Sequence, residues 1–218
     1  MSKTYVWDRF VRSFHWIAVV AFFTAYLTGE EDSALHTYAG YLLGILVISR
    51  IVWGFIGSPH ARFSDFVCGP RGVITYLKGF VGGAVRHYLG HNPAGGWMVL
   101  ALLLGLTLTV ASGIEVLGLE GHGPLARVQI QKPDPTRMDT AIVARLNAAR
   151  RARHDAEEWW EEIHELAANV TLGLVGIHVV GVVAASLRHR ENLVRAMVTG
   201  YKDSPGEFRP PRSRSSRT

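Results

Sequence analysis

Four long apolar blocks constrain this chain more than any other feature. Val11–Gly29, His36–Gly57, Gly95–Leu117 and about Glu165–Leu187 are each mostly apolar, and the charged residues are gathered between them. A helix needs roughly 20 such residues to cross the hydrocarbon of a bilayer. Four of them in 218 residues specify an all-α integral membrane four-helix bundle, a single membrane unit over residues 1–202. The overall hydrophobic content, 48%, is that of an ordinary soluble protein, so the signal lies in the distribution and not in the average.

The basic residues set an expected orientation. With the N-terminus inside, the inner segments Met1–Phe14, Ser58–Ala94 and Arg188–Thr218 hold 3, 4 and 8 Lys/Arg. The outer segments Glu30–Leu35 and Gly118–His164 hold none and 7. Cytoplasmic loops carry the Lys/Arg excess, so both termini are expected in the cytoplasm. Lys3, Arg9 and Arg12 before an apolar block resemble a signal peptide, but the block ends Tyr26-Leu-Thr-Gly29 with no small-residue cleavage site, which predicts an uncleaved first span. The one cysteine, Cys68, excludes a disulfide within the chain and a Cys-x-x-Cys-His haem attachment.

Between the blocks, Glu30–Ala34 is a short acidic outer turn, Ser58-Pro59 ends the second span, and Val73–Leu89 is expected to lie as a helix along the inner surface. Asn92-Pro93 opens the third span. The outer segment 118–164 starts irregular, with Gly121, Gly123, Pro124, Pro133 and Pro135, and then reads as helix over Asp139–Glu162, continuous with the fourth span. It carries a basic run, Arg145–Arg153, and an acidic stretch, Glu157-Glu-Trp-Trp-Glu-Glu162, with two tryptophans at the expected interface. The tail, residues 203–218, is rich in Pro, Ser and Arg and is expected to be disordered and to sit beside anionic lipid.

Ionisable side chains inside membrane helices are costly and usually functional. His164 and His178 are fourteen residues apart, which on an α-helix puts both rings on one face, about 21 Å apart along the axis. That distance spans most of a ~30 Å hydrocarbon core. The first span runs outward and places His15 near the inner surface, and the second runs back and places His36 near the outer one. Matching depths pairs His15 with His178 and His36 with His164. Two bis-His irons of this kind, in two non-covalent b-type haems between the helices, suit electron transfer rather than oxygen binding. Gly40 and Gly44, after His36, and Gly173 and Gly176, before His178, leave room for a flat cofactor or equally for close helix packing. Arg50, fourteen residues after His36, shares its face at the inner depth, where a haem propionate is its expected partner and snorkelling to headgroups the alternative. His60, His87, His91, His122, His154 and His189 lie in loops or at helix ends; His87 and His91 have the i, i+4 spacing of a metal pair but no acidic or cysteine partner nearby.

Val6-Trp-Asp-Arg-Phe-Val-Arg-Ser-Phe-His-Trp16 resembles the first-helix signature of the prokaryotic cytochrome b561 family, which includes the b-type cytochrome subunit of nickel–iron hydrogenases. His36-Thr-Tyr-Ala-Gly-Tyr-Leu-Leu-Gly44, Arg50-Ile-Val-Trp-Gly-Phe-Ile-Gly57, His60-Ala-Arg-Phe63 and Gly90-His-Asn-Pro93 are similar to its later signatures. The resemblance implies four helices, two b haems with ligands on the first, second and fourth, and a bacterial inner-membrane location. The segment between the third and fourth helices is longer here than in the compact members.

The expected activity is one-electron transfer between a membrane quinone (ubiquinone or menaquinone) and an outer-side redox partner, a c-type cytochrome or a hydrogenase-like enzyme. The alternative is a superoxide oxidase that passes electrons from superoxide to ubiquinone. A transporter or scaffold with incidental histidines would be colourless. Membrane lipid is an expected partner and nucleic acid is not.

Overall fold

The computed structural model describes residues 3–29, 33–83, 88–126 and 140–203. In chain order its elements are β1 (Lys3–Tyr5), α1 (Arg9–Leu27), α2 (Ala34–Ile56), α3 (Phe63–Phe66), α4 (Pro70–Gly82), α5 (Pro93–Leu119), α6 (Thr140–His189), α7 (Leu193–Thr199) and β2 (Tyr201–Asp203). Helices α1, α2, α5 and α6 are the four that are long and apolar enough to cross a membrane. Three of them start at a short polar side chain that accepts a free backbone N–H. Asp8 Oδ1 accepts from Val11 N at 2.8 Å, Ser33 Oγ from Leu35 N at 3.2 Å, and Asn92 Oδ1 from Gly95 N at 2.7 Å, with Pro93 preset for the first helical position.

Helix α1 packs along α2, α2 against α5, and α5 along α6. The middle of the bundle is a layer of Ala18, Ala21, Phe22, Ala25, Ala39 and Leu43, closed by Leu106, Val110, Leu172 and Val175. The α5–α6 seam is made of small residues, which lets the backbones approach. Thr171 is fully buried against Gly105, and its Oγ1 lies 3.3 Å from Thr109 Oγ1. The outward faces stay apolar: Leu27, Ile45, Phe55, Leu166, Ile177 and Val180 are all exposed. Such a surface requires lipid, because a soluble protein rarely exposes so much contiguous apolar area.

The first and last described segments meet at one end of the bundle, here called the terminal end. Strand β1 pairs antiparallel with β2 in the register Lys3–Asp203, Thr4–Lys202, Tyr5–Tyr201. Gly200 makes the junction. It adopts φ 88° and its carbonyl accepts from Val6 N and Trp7 N; a Cβ there would lie 2.8 Å from the Trp7 carbonyl oxygen, so only glycine fits. Below the ribbon, Val6, Trp7, Val11, Ala61 and Ala196 form a second buried cluster. Asp8 ties it to the spans, since its carboxylate accepts from Trp53 Nε1 at 3.1 Å and from Ser58 Oγ in addition to capping α1. Lys202 is buried, donates to the Tyr88 carbonyl at 3.0 Å and pairs with buried Glu191 at 3.5 Å.

The four spans are where the hydropathy places them. The helical reading of Asp139–Glu162 and the fourth span are one 50-residue helix, α6, about 75 Å long. The ribbon, α3 and α7 are additions, short elements with too few residues to show a period. Helix α4 covers much of the expected surface helix and ends at Gly83, at φ 89°. The acidic turn at 30–32, the proline-rich positions 127–139, the tail 204–218 and the His87 half of the His87–His91 pair lie outside the described residues.

Candidate functional site

Two pairs of imidazole rings face each other inside the bundle, one pair at each end. At the end remote from the termini, His36 stands in the first turns of α2 and His164 on α6, with ring centres 5.9 Å apart and planes at 85°. Each ring is fixed from behind. His36 Nδ1 lies 2.9 Å from the Ala25 carbonyl in the last turn of α1. His164 Nδ1 lies 2.9 Å from the Thr109 carbonyl and 3.1 Å from Ser112 Oγ on α5. A carbonyl can only accept, so in both rings Nδ1 is the donor, and Nε2 is the nitrogen left to coordinate. This is the arrangement that metal-bound histidines show, with the second nitrogen donating to a carbonyl. Gly113 makes the approach possible, as a Cβ there would fall 2.8 Å from His164 Cε1.

At the terminal end, His15 on α1 faces His178 on α6, with ring centres 6.4 Å apart at 56°. His15 also makes an edge contact with Trp16 at 5.0 Å, and its Nδ1 is buried with no hydrogen-bond partner among the described residues. Between the levels, Thr171 and Val175 share the α6 face of both histidines by helical spacing. Thr171 is sealed against α5 and Val175 packs on the apolar layer.

The geometry can be tested against a metal held between rings. A metal–imidazole bond is about 2 Å and a ring centre lies about 1 Å behind its nitrogen, so an atom gripped by two rings holds their centres ~6 Å apart. The observed 5.9 and 6.4 Å meet that requirement. Each level offers two imidazoles. Among the described residues the one group of three metal-ligand side chains, His154, Asp155 and Glu158, is exposed and lies on neither level. Two opposed nitrogens without further protein ligands fit the axial positions of a haem iron, whose equatorial ligands are its own, and not a closed tetrahedral zinc site.

The glycines divide. A Cβ on Gly40, one turn beyond His36 on its face, meets nothing within 4 Å, which leaves open space beside the far-end pair. A Cβ on Gly44 would lie 3.1 Å from Val110 Cγ1, so this glycine serves the approach of α2 to α5. Gly173 and Gly176 are exposed and sit about 140° and 160° around α6 from His178, so they face away from the rings. Arg50 is 3% exposed at the terminal end. Its Nη2 donates to the Ala61 carbonyl at 3.1 Å, its guanidinium lies 5.5 Å from the Phe63 ring centre, and Nη1 is buried without a hydrogen-bond partner among the described residues. Sequence reasoning missed the Ala25 and Thr109 carbonyls, which carry no residue signature, and Ser112. The signal that could have found Ser112 and Gly113 is a polar and a small residue side by side in an otherwise apolar span.

A family profile described as prokaryotic cytochrome b561 matches residues 6–200. The chain belongs to the prokaryotic cytochrome b561 family. It is therefore a membrane electron-transfer protein of a family of b-type cytochromes, and membership implies haem b. Its relatives include a probable Ni/Fe-hydrogenase B-type cytochrome subunit of Cupriavidus necator, 26% identical, with 93% of this chain and 88% of the relative covered. Proteins of the same description from Rhizobium leguminosarum bv. viciae, 25% identical over 92% and 89%, and Azotobacter chroococcum, 26% identical over 92% and 89%, are similar to the same extent. No solved structure matches the chain significantly.

Proposed function

We propose that this cytochrome b561 carries electrons across a bacterial inner membrane by way of two haem b groups, one between His15 and His178 and the other between His36 and His164. It connects a membrane quinone, ubiquinone or menaquinone, with a redox protein on the outer side. The observation that carries the reading is the pair of facing rings at two levels of one bundle, 6.4 and 5.9 Å between centres. Haem b held by two imidazoles supplies one-electron oxidation and reduction and leaves no open iron position for a substrate.

The protein's part is positional. The Ala25 and Thr109 carbonyls hold the far-end rings in the Nδ1–H form and aim each Nε2 inward. Helix α6 sets the levels about 21 Å apart. Phe22, Leu43, Leu172 and Val175 keep the layer between them dry. Gly40 gives clearance at the far end, and Arg50 offers a buried positive charge to a propionate at the terminal end. The Lys/Arg excess in the segments at the terminal end supports a cytoplasmic position for both termini. The names of the relatives support a hydrogenase-like enzyme as outer partner, and a c-type cytochrome is the other redox protein of that kind.

Pyridine haemochrome assay of purified protein tests the reading. Two protohaems per polypeptide are expected, with one left in His178→Ala and one in His36→Ala; well-folded wild-type protein with markedly fewer than two refutes it. Quinone reduction driven by superoxide alone, without a partner protein, would replace the partner half of the proposal with a superoxide oxidase.

A further inference from the structure

His91 takes no part in the histidine ladder, yet its ring is clamped between two aromatic side chains. Its ring is held between Trp7 and Phe66, each 4.6 Å away centre to centre, and its Nδ1 is buried with no hydrogen-bond partner among the described residues. Burial, and then the positive fields of Arg50, Lys202, His60 and His178, push its pKa down to about 3, so the ring is neutral. Ring contacts link it to Arg50: Phe66 meets Phe63 at 5.8 Å between centres, and the Arg50 guanidinium lies 5.5 Å from the Phe63 ring centre. Arg50 comes from α2, His60 from the following loop, Lys202 from β2 and His178 from the terminal-end ring pair. Arg50 brings a second orphan, Nη1, on a side chain that is 97% buried. The carboxylate whose charge reaches Arg50 is Asp8, and it is already engaged by Val11 N, Trp53 and Ser58.

A buried donor left unsatisfied costs about 1–3 kcal/mol, and more when it is charged. The nearby carboxylates are engaged, Glu191 by Lys202 and Asp8 by Val11 N, Trp53 and Ser58, so among the described residues no acceptor meets these two nitrogens. Their partner must bring oxygen acceptors and must lie within reach of His178. A lipid headgroup offers the same acceptors, but Arg50 is 3% exposed and is held by the Ala61 carbonyl and the Phe63 ring. Resting on the two-haem reading, we infer that His91 and Arg50 together receive the propionates of the terminal-end haem, which therefore point toward the β1–β2 ribbon. Trp7 and Phe66 fix the His91 ring, and the ribbon holds Trp7, so the chain ends serve the cofactor indirectly.

Potentiometric titration of the purified holoprotein tests this. The terminal-end component is the one absent from His178→Ala. His91→Leu and Arg50→Gln remove a donor to the propionates, so the ferric form gains relative stability. Each should lower the midpoint potential of that component, or release that haem, and leave the far-end component unmoved. His91→Gln keeps an N–H donor and should restore most of the wild-type value, as should Arg50→Lys, which keeps the charge. Wild-type potentials at both haems in His91→Leu and Arg50→Gln would overturn the inference, and so would equal shifts at both haems. If Arg50→Gln does not fold, the comparison of His91→Leu with His91→Gln decides alone. A shift that depends on added anionic lipid would assign these nitrogens to a headgroup and overturn the propionate assignment. Fewer than two haems in the wild type would instead overturn the two-haem reading itself.

Discussion

Gly113→Ala separates the needs of the fold from the needs of the cofactor. The added Cβ would lie 2.8 Å from His164 Cε1, 3.2 Å from Nδ1 and 3.6 Å from Nε2, the first two well inside carbon–carbon contact. The ring has little freedom to yield, because Nδ1 is bound at 2.9 Å to Thr109 O and at 3.1 Å to Ser112 Oγ. Moving it forfeits at least one of these bonds, about 1 kcal/mol, and overpacking adds about 1–3 kcal/mol. Replacing glycine inside a helix returns up to about 1 kcal/mol. The bundle should therefore fold with a net loss of roughly 1–3 kcal/mol, which is small against the effect at the iron. A ring displaced by about half an ångström no longer offers Nε2 at a ~2 Å bond length. The expected result is folded protein that keeps the terminal-end haem and has lost the far-end one. Haem per polypeptide should fall from two to one by pyridine haemochrome, and the two-component redox titration should collapse to the single component that survives in His36→Ala. Retention of both haems with unchanged potentials would refute the claim that His164, held in this rotamer, is a ligand.

Gly40→Leu should do the reverse of a packing mutation. The position is open in the folded chain, so thermal stability of cofactor-depleted protein should hold while far-end haem content falls; full haem content would remove Gly40 from the site. In Asp8, burial raises the carboxyl pKa but hydrogen bonds from Ser58, Val11 N and Trp53 outweigh it and hold it below its ordinary 3.8. A depressed carboxylate stabilises the fold above its unfolded pKa, and that increment is lost as pH falls through the folded value. Melting temperature in detergent should thus drop below about pH 4 in wild type and less in Asp8→Asn; parallel profiles would refute the role. Lys202→Met removes the buried ammonium from Glu191 and should cost up to about 3–5 kcal/mol, with part of it recovered in Lys202→Met/Glu191→Gln; a stable single variant would show that the pair does not hold the ribbon.

What was legible in the sequence followed from long-range regularity. Four apolar blocks gave the spans, and a fourteen-residue interval on one helix, combined with alternating span direction, anticipated that His15 would meet His178 and His36 would meet His164. The face of Arg50 followed from the same arithmetic. Angular position, by contrast, separates glycines that spacing alone lumped together: Gly40 shares the face of His36, while Gly173 and Gly176 turn outward. The rest depended on contacts with no periodic trace. Asp8 meets Trp53 and Ser58 across 45 and 50 residues. Three-residue strands cannot display alternation. Backbone carbonyls such as those of Ala25 and Thr109 are present at every residue, so nothing in the letters singles them out.

Helix α6 carries one histidine of each ring pair on a single unbroken rod. Its axial rotation is therefore a variable shared by the two levels. Turning it by about 10° would swing a ring at ~6 Å from the axis by ~1 Å, at both levels at once. Two polar contacts oppose that turn from different sides: Tyr26 Oη to Asn169 Oδ1 at 2.7 Å from α1, and Thr109 to Thr171 at 3.3 Å from α5. They act as a rotational detent, and any load applied to the stretch of α6 before His164 reaches both ring pairs through it.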